Sequence, residues 1–569
     1  MFLATTSIDS FWDKEQNIIF AGEWCKLQEA KGKWQDLNTR TFPYHWSNVR
    51  DMDTGIVNID QIYKKSISSL TVFLNKYLGI EKDERYYSIV LGHWLIRFLH
   101  TNMDKYKLLT DICKQYPSEL NTFVIPSVEY IVPLDENEYH ELIATDRYNL
   151  QEYSSLSKFL KIEFKEFSTY KKQNKVGVYK TKTSFKKSLK RYCFSFLNFL
   201  KSNEVCITDP YFLNTQSYID VWRKSRNIIF NDFNFDLEFE FNFDKFARKS
   251  VLDVHATTEF EKYISENILK NMPMIFLEGH SKTQCIISSK KIPLSKIYYN
   301  SNAIQTNMLY KFFIASVYQN VELVTHQHGA GYGVDYECCD EKYERCVSDK
   351  FFTFGWSDNK SACYLPSSVL NHKSIDANNS VLFVLTGGTR YIRRLFYMPK
   401  STQLLENTVN SAVKFLKRAS DKSIQLRFYS ESNGWGVRSR VYEKTDLFTE
   451  DLGKFHTSFN SSRLIILEHL GTTFYQAMAI NKPVIVFINQ DIYKFRKEAV
   501  EYFMKLEEVG ILHYSPESAF QHYASIKNNT DNWWNDITLQ DIRREFSHNF
   551  ARSADNWSSD FVNGLDSCL

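Results

Sequence analysis

Residues 325–333, which read THQHGAGYG, combine two histidines with three glycines in one short stretch. A histidine has an unperturbed pKa of about 6.5, which suits a general base that removes a proton from a hydroxyl at neutral pH. We predict that His328 is this base or orients the reacting substrate. His326 stands closer to the preceding apolar residues, and we predict that it holds the loop. Glu278 follows the apolar run 273–277, which we predict to be a strand, and it is a further candidate base.

Residues 464–488, which read LIILEHLGTTFYQAMAINKPVIVFI, predict a strand, a glycine turn, a short helix and a second strand. Apolar strands joined by a helix form a βαβ unit in a sheet that is covered on both faces. Gly471 lets the backbone approach a ligand, and the N–H groups that begin the next helix favour an anion such as a diphosphate. A plain strand-to-helix connection is the alternative. The predicted ligand contacts on this turn are Glu468, His469, Gly471, Thr472 and Thr473.

A second glycine turn follows the apolar run 381–385, which we predict to be a strand. It contains Gly387 and Gly388, and Arg390 stands two residues later. We predict that the two glycines bind the same ligand and that Arg390 neutralises a leaving phosphate. A surface ion pair is the alternative for Arg390.

The sequence predicts chemistry without a metal ion or a resident cofactor. Two histidines at i and i+2 could bind a metal, but Asp335, Glu337 and Cys338 follow them at no recognised ligand spacing. Cys-x-x-Cys spacing is also absent. We therefore expect the reaction to be metal-independent.

Composition excludes several classes of protein. A net charge of +3 is too small to indicate a nucleic-acid partner. The N-terminus lacks the basic head and apolar core of a secretory signal, and no apolar run is long enough to span a membrane. The ten cysteines show no disulfide framework, so we expect reduced thiols in a cytoplasmic protein.

Strands that end in polar turns recur along the chain and predict an α/β fold with ligands at the strand ends. Residues 357–378 are polar and aperiodic, which favours a linker between two domains. The predicted divisions are an N-terminal domain 1–356 with an inserted region at about 130–260, the linker 357–378, a C-terminal domain 379–545, and a tail helix 546–569 that crosses back to the N-terminal domain.

Residues 185–200 interleave basic and aromatic or aliphatic side chains in the pattern of a basic amphipathic helix. Such a helix can lie on an anionic membrane surface, and we expect peripheral contact with the inner face of a membrane. A solvated helix face packed on the core is the alternative.

With these residues assembled, the chain resembles a bacterial family of surface-polysaccharide transferases, of lipopolysaccharide or capsule, with a GT-B-type architecture. It is also distantly similar to transferases that use CMP-activated keto-sugar acids such as Kdo or nonulosonic acids. Many relatives carry aspartate where this chain has Glu468, which alters the donor geometry. The motifs that carry the resemblance are FLATTSIDSFW at 2–12, PYHW at 43–46, THQHGAGYG at 325–333, DKFFTFGW at 349–356 and EHLGTTFYQAMAINKPVI at 468–485.

The resemblance implies two Rossmann-like domains that face each other across a cleft, with helical additions. The C-terminal domain would bind the nucleotide half of a donor, and the N-terminal domain would bind the acceptor. The implied enzyme is a glycosyltransferase with a nucleotide-sugar co-substrate and a glycan or lipid-linked acceptor. A nucleotide-sugar epimerase, a polyol-phosphate transferase and a non-catalytic scaffold for glycan assembly are the alternatives.

Overall fold

The computed structural model describes most of the chain. The residues outside the description are 118–119, 171–175, 182–193, 195–196, 210–214, 291, 293, 359, 372–378, 399–402, 404, 421 and 431–433. The predicted basic helix at 185–200 lies mostly in these gaps.

Nineteen strands are described, most of them four residues long or shorter. They are β1 (Phe2–Ala4), β2 (Ile18–Phe20), β3 (Thr39–Thr41), β4 (Asn121–Val124), β5 (Glu163–Glu166), β6 (Val176–Thr181), β7 (Val205–Thr208), β8 (Ile228–Phe230), β9 (Leu237–Asn242), β10 (Ile297–Asn300), β11 (Glu322–His326), β12 (Lys350–Thr353), β13 (Ala362–Tyr364), β14 (Val381–Val384), β15 (Ile424–Arg427), β16 (Thr449–Glu450), β17 (Leu464–Leu467), β18 (Val484–Phe487) and β19 (Leu512–His513).

The described α-helices connect and cover these strands. They are α1 (Val49–Leu78), α2 (Glu84–Gln115), α3 (Glu136–Leu142), α4 (Asp146–Phe159), α5 (Thr215–Lys224), α6 (Lys245–Lys249), α7 (Glu259–Asn271), α8 (His280–Ser289), α9 (Ala303–Thr306), α10 (Met308–Val317), α11 (Cys339–Val347), α12 (Ser411–Ala419), α13 (Val437–Tyr442), α14 (Phe455–Ser461), α15 (Thr472–Ala479), α16 (Lys497–Glu508), α17 (Pro516–Ile526), α18 (Thr530–Trp534), α19 (Ile537–Phe550) and α20 (Trp557–Asp566).

Three parallel sheets organise the chain. The first has the order β3-β2-β1-β4-β5, the second β13-β12-β11-β10-β7-β8, and the third β16-β15-β14-β17-β18-β19. A separate antiparallel pair joins β6 to β9. The predicted α/β class is confirmed, because all three large sheets are parallel. The sequence predicted two Rossmann-like domains and did not predict a third sheet.

A long helix fills the space between the N-terminal sheets. The side chain of Asp83 caps the start of α2 by accepting the N–H of Tyr86, and every residue from 86 to 105 of this helix is buried. It packs against α1, α10 and α11. The sequence periodicity marked only residues 87–99 of this helix, which lie within the buried stretch.

The third sheet has the strand order of a Rossmann fold, in which the chain starts in the middle and builds first one side and then the other. The residues of β14, β17 and β18 are all buried because alternate side chains enter two different cores, one on each face of the sheet. The predicted strand–turn–helix–strand unit at 464–488 is therefore present as β17, α15 and β18.

Several predicted boundaries are wrong. The region 130–260 is not an insertion, because it supplies β5 to the first sheet and β7 and β8 to the second. The predicted linker 357–378 contains β13, which pairs with β12 at the edge of the second sheet. The N-terminal half consequently holds two parallel sheets rather than one. The tail helix α20 packs on the second sheet, where Phe561 contacts the ring of Tyr299.

The apolar run 273–277 was predicted to be a strand and is not one. Residues Met274–Phe276 form a short 3-10 helix after the end of α7. Its first two N–H groups donate to the carbonyls of Pro133 and Leu134, so the backbone is satisfied without joining a sheet. Burial alone explains the apolar residues here.

Candidate functional site

The carboxyl edge of the third sheet carries the loops that follow its six parallel strands. The chain order reverses between β14 and β17, and such a switch point is where open α/β sheets bind ligands. Glu468, directly after β17, accepts a hydrogen bond from the backbone N–H of Thr386, which follows β14. The predicted Glu468 turn and the predicted Gly387–Gly388 turn therefore lie side by side across the switch point.

The Glu468 carboxyl group is buried, and burial raises its pKa to about 8 against an ordinary value of 4.5. The hydrogen bond from Thr386 opposes this rise but does not cancel it. Its second oxygen, Oε2, lies beside the hydroxyl of Thr408 without a well-formed hydrogen bond. At neutral pH the side chain therefore carries a proton and can both donate to and accept from a bound hydroxyl.

Two cavities open along this edge. The larger one, about 600 Å³, is lined by Glu468, by the loops after β18 and β19, and by Lys414 and Lys444. The smaller one, about 300 Å³, is lined by Gly387 and Gly388 and by Glu29, which lies between β2 and β3. Both volumes lie within or near the range of ordinary ligand pockets, and together they could hold a nucleotide and a sugar.

The turn after Glu468 is built closely around a histidine ring. Burial lowers the pKa of His469 to about 4, so the imidazole is neutral at physiological pH. A Cβ on Gly471 would lie 2.4 Å from Nε2 of His469, so a larger residue at this position would require the ring to move. Thr472 and Thr473 then begin α15, as the sequence predicted, and both side chains are partly exposed.

Thr472 also joins the two predicted motifs. Its Oγ1 accepts the backbone N–H of Ala330 at 3.3 Å, which places the loop 325–333 against the start of α15. Gly331 and Gly333 in that loop have φ angles of +91° and +72°, which favour glycine. The two stretches lie about 140 residues apart in sequence and are in direct contact in the fold.

His326 ends β11 and is buried. Its Nδ1 lies 2.6 Å from the hydroxyl oxygen of Tyr299, and burial lowers its pKa to about 3. The next residue, Gln327, accepts the N–H groups of Phe354 and the Trp356 indole through Oε1, at 3.0 and 3.1 Å. These contacts position the loop, and a histidine with so low a pKa is a weak base.

His328 is the histidine of the pair that solvent reaches, with its side chain 20% exposed. The hydroxyl oxygen of Tyr332 lies 3.3 Å from its Nδ1, and Oε1 of the buried Glu344 lies 3.4 Å from the same nitrogen. Glu344 is itself held by a hydrogen bond from Gln305 at 2.6 Å. A carboxylate that orients a partly exposed histidine is the arrangement by which a general base is held for catalysis.

Two predicted site residues are engaged elsewhere. Both oxygens of Glu278 lie 2.6 Å from nitrogens of Arg248, and its side chain is only 2% exposed, so it is not available as a base. Arg390 makes a bidentate pair with Asp146 and donates to the carbonyl of Trp24 at 2.7 Å. It therefore joins the third sheet to the first rather than facing a phosphate.

Asp335 is a candidate that the sequence analysis considered only as a metal ligand. Burial raises the pKa of its carboxyl to about 7, although the nearby guanidinium groups of Arg394 and Arg496 act in the opposite direction. Arg496 donates to the backbone carbonyl of Asp335 at 2.9 Å and pairs with Glu341. A carboxyl group with a pKa near neutrality beside the glycine loop could act as a general acid or base. In the sequence, only the position of Asp335 two residues after Gly333 indicated that it could belong to this site.

One group of side chains in the described part of the chain has the spacing of metal ligands: His93, Glu136 and His140. It lies on α2 and α3 rather than at the strand ends. Lys311 pairs with Glu136, and Arg97 lies beside His93. Because Lys311 balances the Glu136 carboxylate and Arg97 pairs with Asp340, the group is better explained as part of a buried ion-pair network than as a site for a cation.

Among the helices that the structure describes, none has the length and apolarity needed to cross a bilayer.

One of the comparisons with known proteins identifies a family of transferases. A family model described as LIC12162 family transferase matches residues 1–565. A search of curated proteins finds no match. A co-structure of S. aureus MnaA with UDP is 11% identical, with a TM-score of 0.34, over 64% of this chain and 96% of that chain. The Acinetobacter baumannii MurG structure is 10% identical, with a TM-score of 0.32, over 64% of this chain and 99% of that chain. Similarities to solved structures at this level carry no argument about function.

Proposed function

The chain belongs to the LIC12162 family of transferases, and we propose that it is a glycosyltransferase that moves a sugar from a nucleotide-sugar donor to a surface glycan or a lipid-linked acceptor. One observation carries this proposal. The loop that follows β11 of the second sheet touches the loop that follows β17 of the third, through Ala330 and Thr472. Each sheet thus contributes strand-end residues to one place, as a transfer between two substrates requires.

The third sheet is the proposed donor side. Its switch point, between β14 and β17, adjoins two cavities. Glu468 would bind a ribose or sugar hydroxyl, and the N–H groups at the start of α15 would bind the diphosphate or phosphate. Lys414 and Lys444 line the larger cavity, and Glu406 and Glu517 on the same lining offset their charge. A CMP-linked keto-sugar acid is the favoured donor because of the family resemblance.

The second sheet is the proposed acceptor side. Its own switch point lies between β7 and β10. A cavity of about 430 Å³ opens there, lined by aromatic rings and by Asp209, Asn231, Asp232 and Asn234. Amides, carboxylates and aromatic faces suit the hydroxyls and apolar faces of a sugar. His328, two strands from β7, would take the proton from the acceptor hydroxyl, with Asp335 as the competing candidate.

Oriented backbone N–H groups can stabilise the leaving phosphate without a cation, and we accordingly propose a metal-independent reaction. Cytoplasmic location and a role in lipopolysaccharide or capsule assembly complete the proposal. Both rest on the resemblance and on the sequence composition.

A thermal-shift screen against UDP-, GDP-, dTDP-, CDP- and CMP-linked sugars tests the proposal most directly. A ligand at about 100 times its Kd should stabilise the protein by about 2.7 kcal/mol. Turnover of the binding donor, with and without a glycan acceptor, then separates the alternatives. An epimerase would react without an acceptor, a polyol-phosphate transferase would require a CDP-polyol, and a scaffold would bind without turnover. The absence of binding to every nucleotide would refute the donor site.

A further inference from the structure

A large groove lies on the N-terminal half, between α4, α7 and the short helix α6. Its volume is about 980 Å³, larger than the cavities of the proposed donor and acceptor sides. Apolar and aromatic side chains form part of its lining, and they include Val128, Tyr130, Val132, Phe159 and Phe243. None of the residues that we assign to the proposed donor and acceptor sides lines this groove.

The charge of the groove is one-sided. Five basic side chains and one acidic side chain, Glu266, line it, which leaves an excess of four positive charges among the lining residues. Among the basic side chains, the Nζ of Lys158 pairs with the carboxylate of Glu166. Lys245 and Lys249 are exposed, and among the residues that the structure describes neither makes an ion pair. The basic side chains are Lys158, Lys245, Arg248, Lys249 and Lys270.

Arg248 makes the groove rigid rather than binding a ligand itself. It is held by Glu278 and also donates to the carbonyls of Leu269 and Met272, at 3.0 and 2.8 Å. These bonds fix α6 to the end of α7 and so fix the positions of Lys245 and Lys249. The buried ion pair of Glu278 and Arg248 thus has a structural role, which is to hold α6 in place beside this groove.

An aromatic side chain projects from the same short helix. Phe246, between Lys245 and Arg248, is 90% exposed, and Val128 and Val251 near the groove are 58% and 63% exposed. A partner with an apolar part would bury the Phe246 side chain, which water now contacts, and burial of apolar surface is favourable. Apolar side chains that alternate with unpaired lysines match the boundary between the acyl chains and the anionic headgroups of a bilayer.

We propose that this groove binds an anionic phospholipid at a bilayer surface, with the lipid phosphate between Lys245 and Lys249 and Phe246 inserted among the acyl chains. A soluble anion would use the lysines but leave Phe246 and the apolar lining uncovered. The proposal goes beyond the transfer reaction. It places a membrane contact on α6, independently of the predicted basic helix at 185–200.

Vesicle flotation of the full-length protein tests the proposal. Wild type should bind vesicles of phosphatidylcholine with phosphatidylglycerol and not vesicles of phosphatidylcholine alone. A lysine near an anionic surface contributes about five-fold to membrane partitioning, so the double variant Lys245→Gln/Lys249→Gln should bind about 25-fold more weakly. Phe246→Ser should also weaken binding, at unchanged charge.

The matched control is Lys417→Gln/Lys497→Gln, which removes the same charge from two exposed lysines elsewhere. It should bind as wild type does, and all variants should keep the wild-type melting temperature. Equal loss in the control, or full binding by the Lys245/Lys249 variant, would overturn the proposal. Stabilisation by free glycerol 3-phosphate without vesicle binding would assign the groove to a soluble anion instead. Donor binding is measured separately, so a failure of the transferase proposal would not affect this result.

Discussion

Replacing Glu468 with glutamine should change how the stability of the protein depends on pH. The folded protein holds a proton on this carboxyl up to a pH of about 8, whereas the unfolded chain releases it near its ordinary pKa of 4.5. Between these values the folded state binds more protons than the unfolded state, so the free energy of unfolding falls as pH rises. The stabilisation is complete below about pH 4.5 and is lost above about pH 8.

The size of the effect follows from the two pKa values. One pH unit is worth about 1.4 kcal/mol, so the interval from 4.5 to about 8 corresponds to roughly 5 kcal/mol. Glutamine keeps an acceptor for the Thr386 N–H and has no proton to lose. Relative to wild type, Glu468→Gln should therefore gain stability steadily as pH rises through this interval.

The assay is thermal unfolding of both proteins at several pH values from about 5 to about 9. Asp335, whose pKa is raised to about 7, titrates in the same interval, and the difference between variant and wild type removes its contribution. Glu406→Gln, an exposed carboxylate on the same cavity, is the matched control and should follow wild type. If Glu468→Gln and wild type depend on pH identically, Glu468 ionises normally and the argument from its burial is wrong.

Three further predictions concern the proposed reaction. His328→Ala should lose about 10²- to 10⁴-fold in turnover while still binding nucleotide, and His326→Ala should lose stability at least as much as rate. If Asp335→Asn abolishes turnover and His328→Ala does not, Asp335 is the base. The double variant Thr472→Val/Thr473→Val should bind nucleotide more weakly. It should also lose about 1 kcal/mol of stability, because the Ala330 N–H loses its acceptor. Unchanged nucleotide affinity would remove α15 from the site. Activity should survive excess EDTA, and a loss that Mg²⁺ or Mn²⁺ restores would contradict a metal-independent reaction.

Much of the third sheet was predictable because its signals are local. The apolar runs of β17 and β18, the glycine between them and the proline after α15 lie within 25 residues of sequence. Each element there depends on neighbours a few positions away, so strand, turn and helix can be read without knowing the fold. The same reasoning placed Thr472 at the start of α15, and it placed His326 just after a strand at 321–324, although β11 extends to His326.

The apolar run 273–277 shows where such reasoning ends. Its composition predicts burial, and Ile275 and Phe276 are indeed fully buried. Whether a buried run pairs with a strand depends on which backbone groups lie beside it. Here these groups are the carbonyls of Pro133 and Leu134, about 140 positions earlier in the chain. No property of the run itself records that partner.

The sequence by itself determined the α/β class, the strand-end positions of the two histidines and of Glu468, and the start of α15, because these follow from patterns within a few residues. Tertiary structure decided what each charged group does. Asp146, 244 positions away, engages Arg390, and Arg248 engages Glu278, so neither predicted residue faces a ligand. A charge is available for binding only when no opposite charge is folded against it, and pairing over such distances depends on the packing of whole sheets and helices.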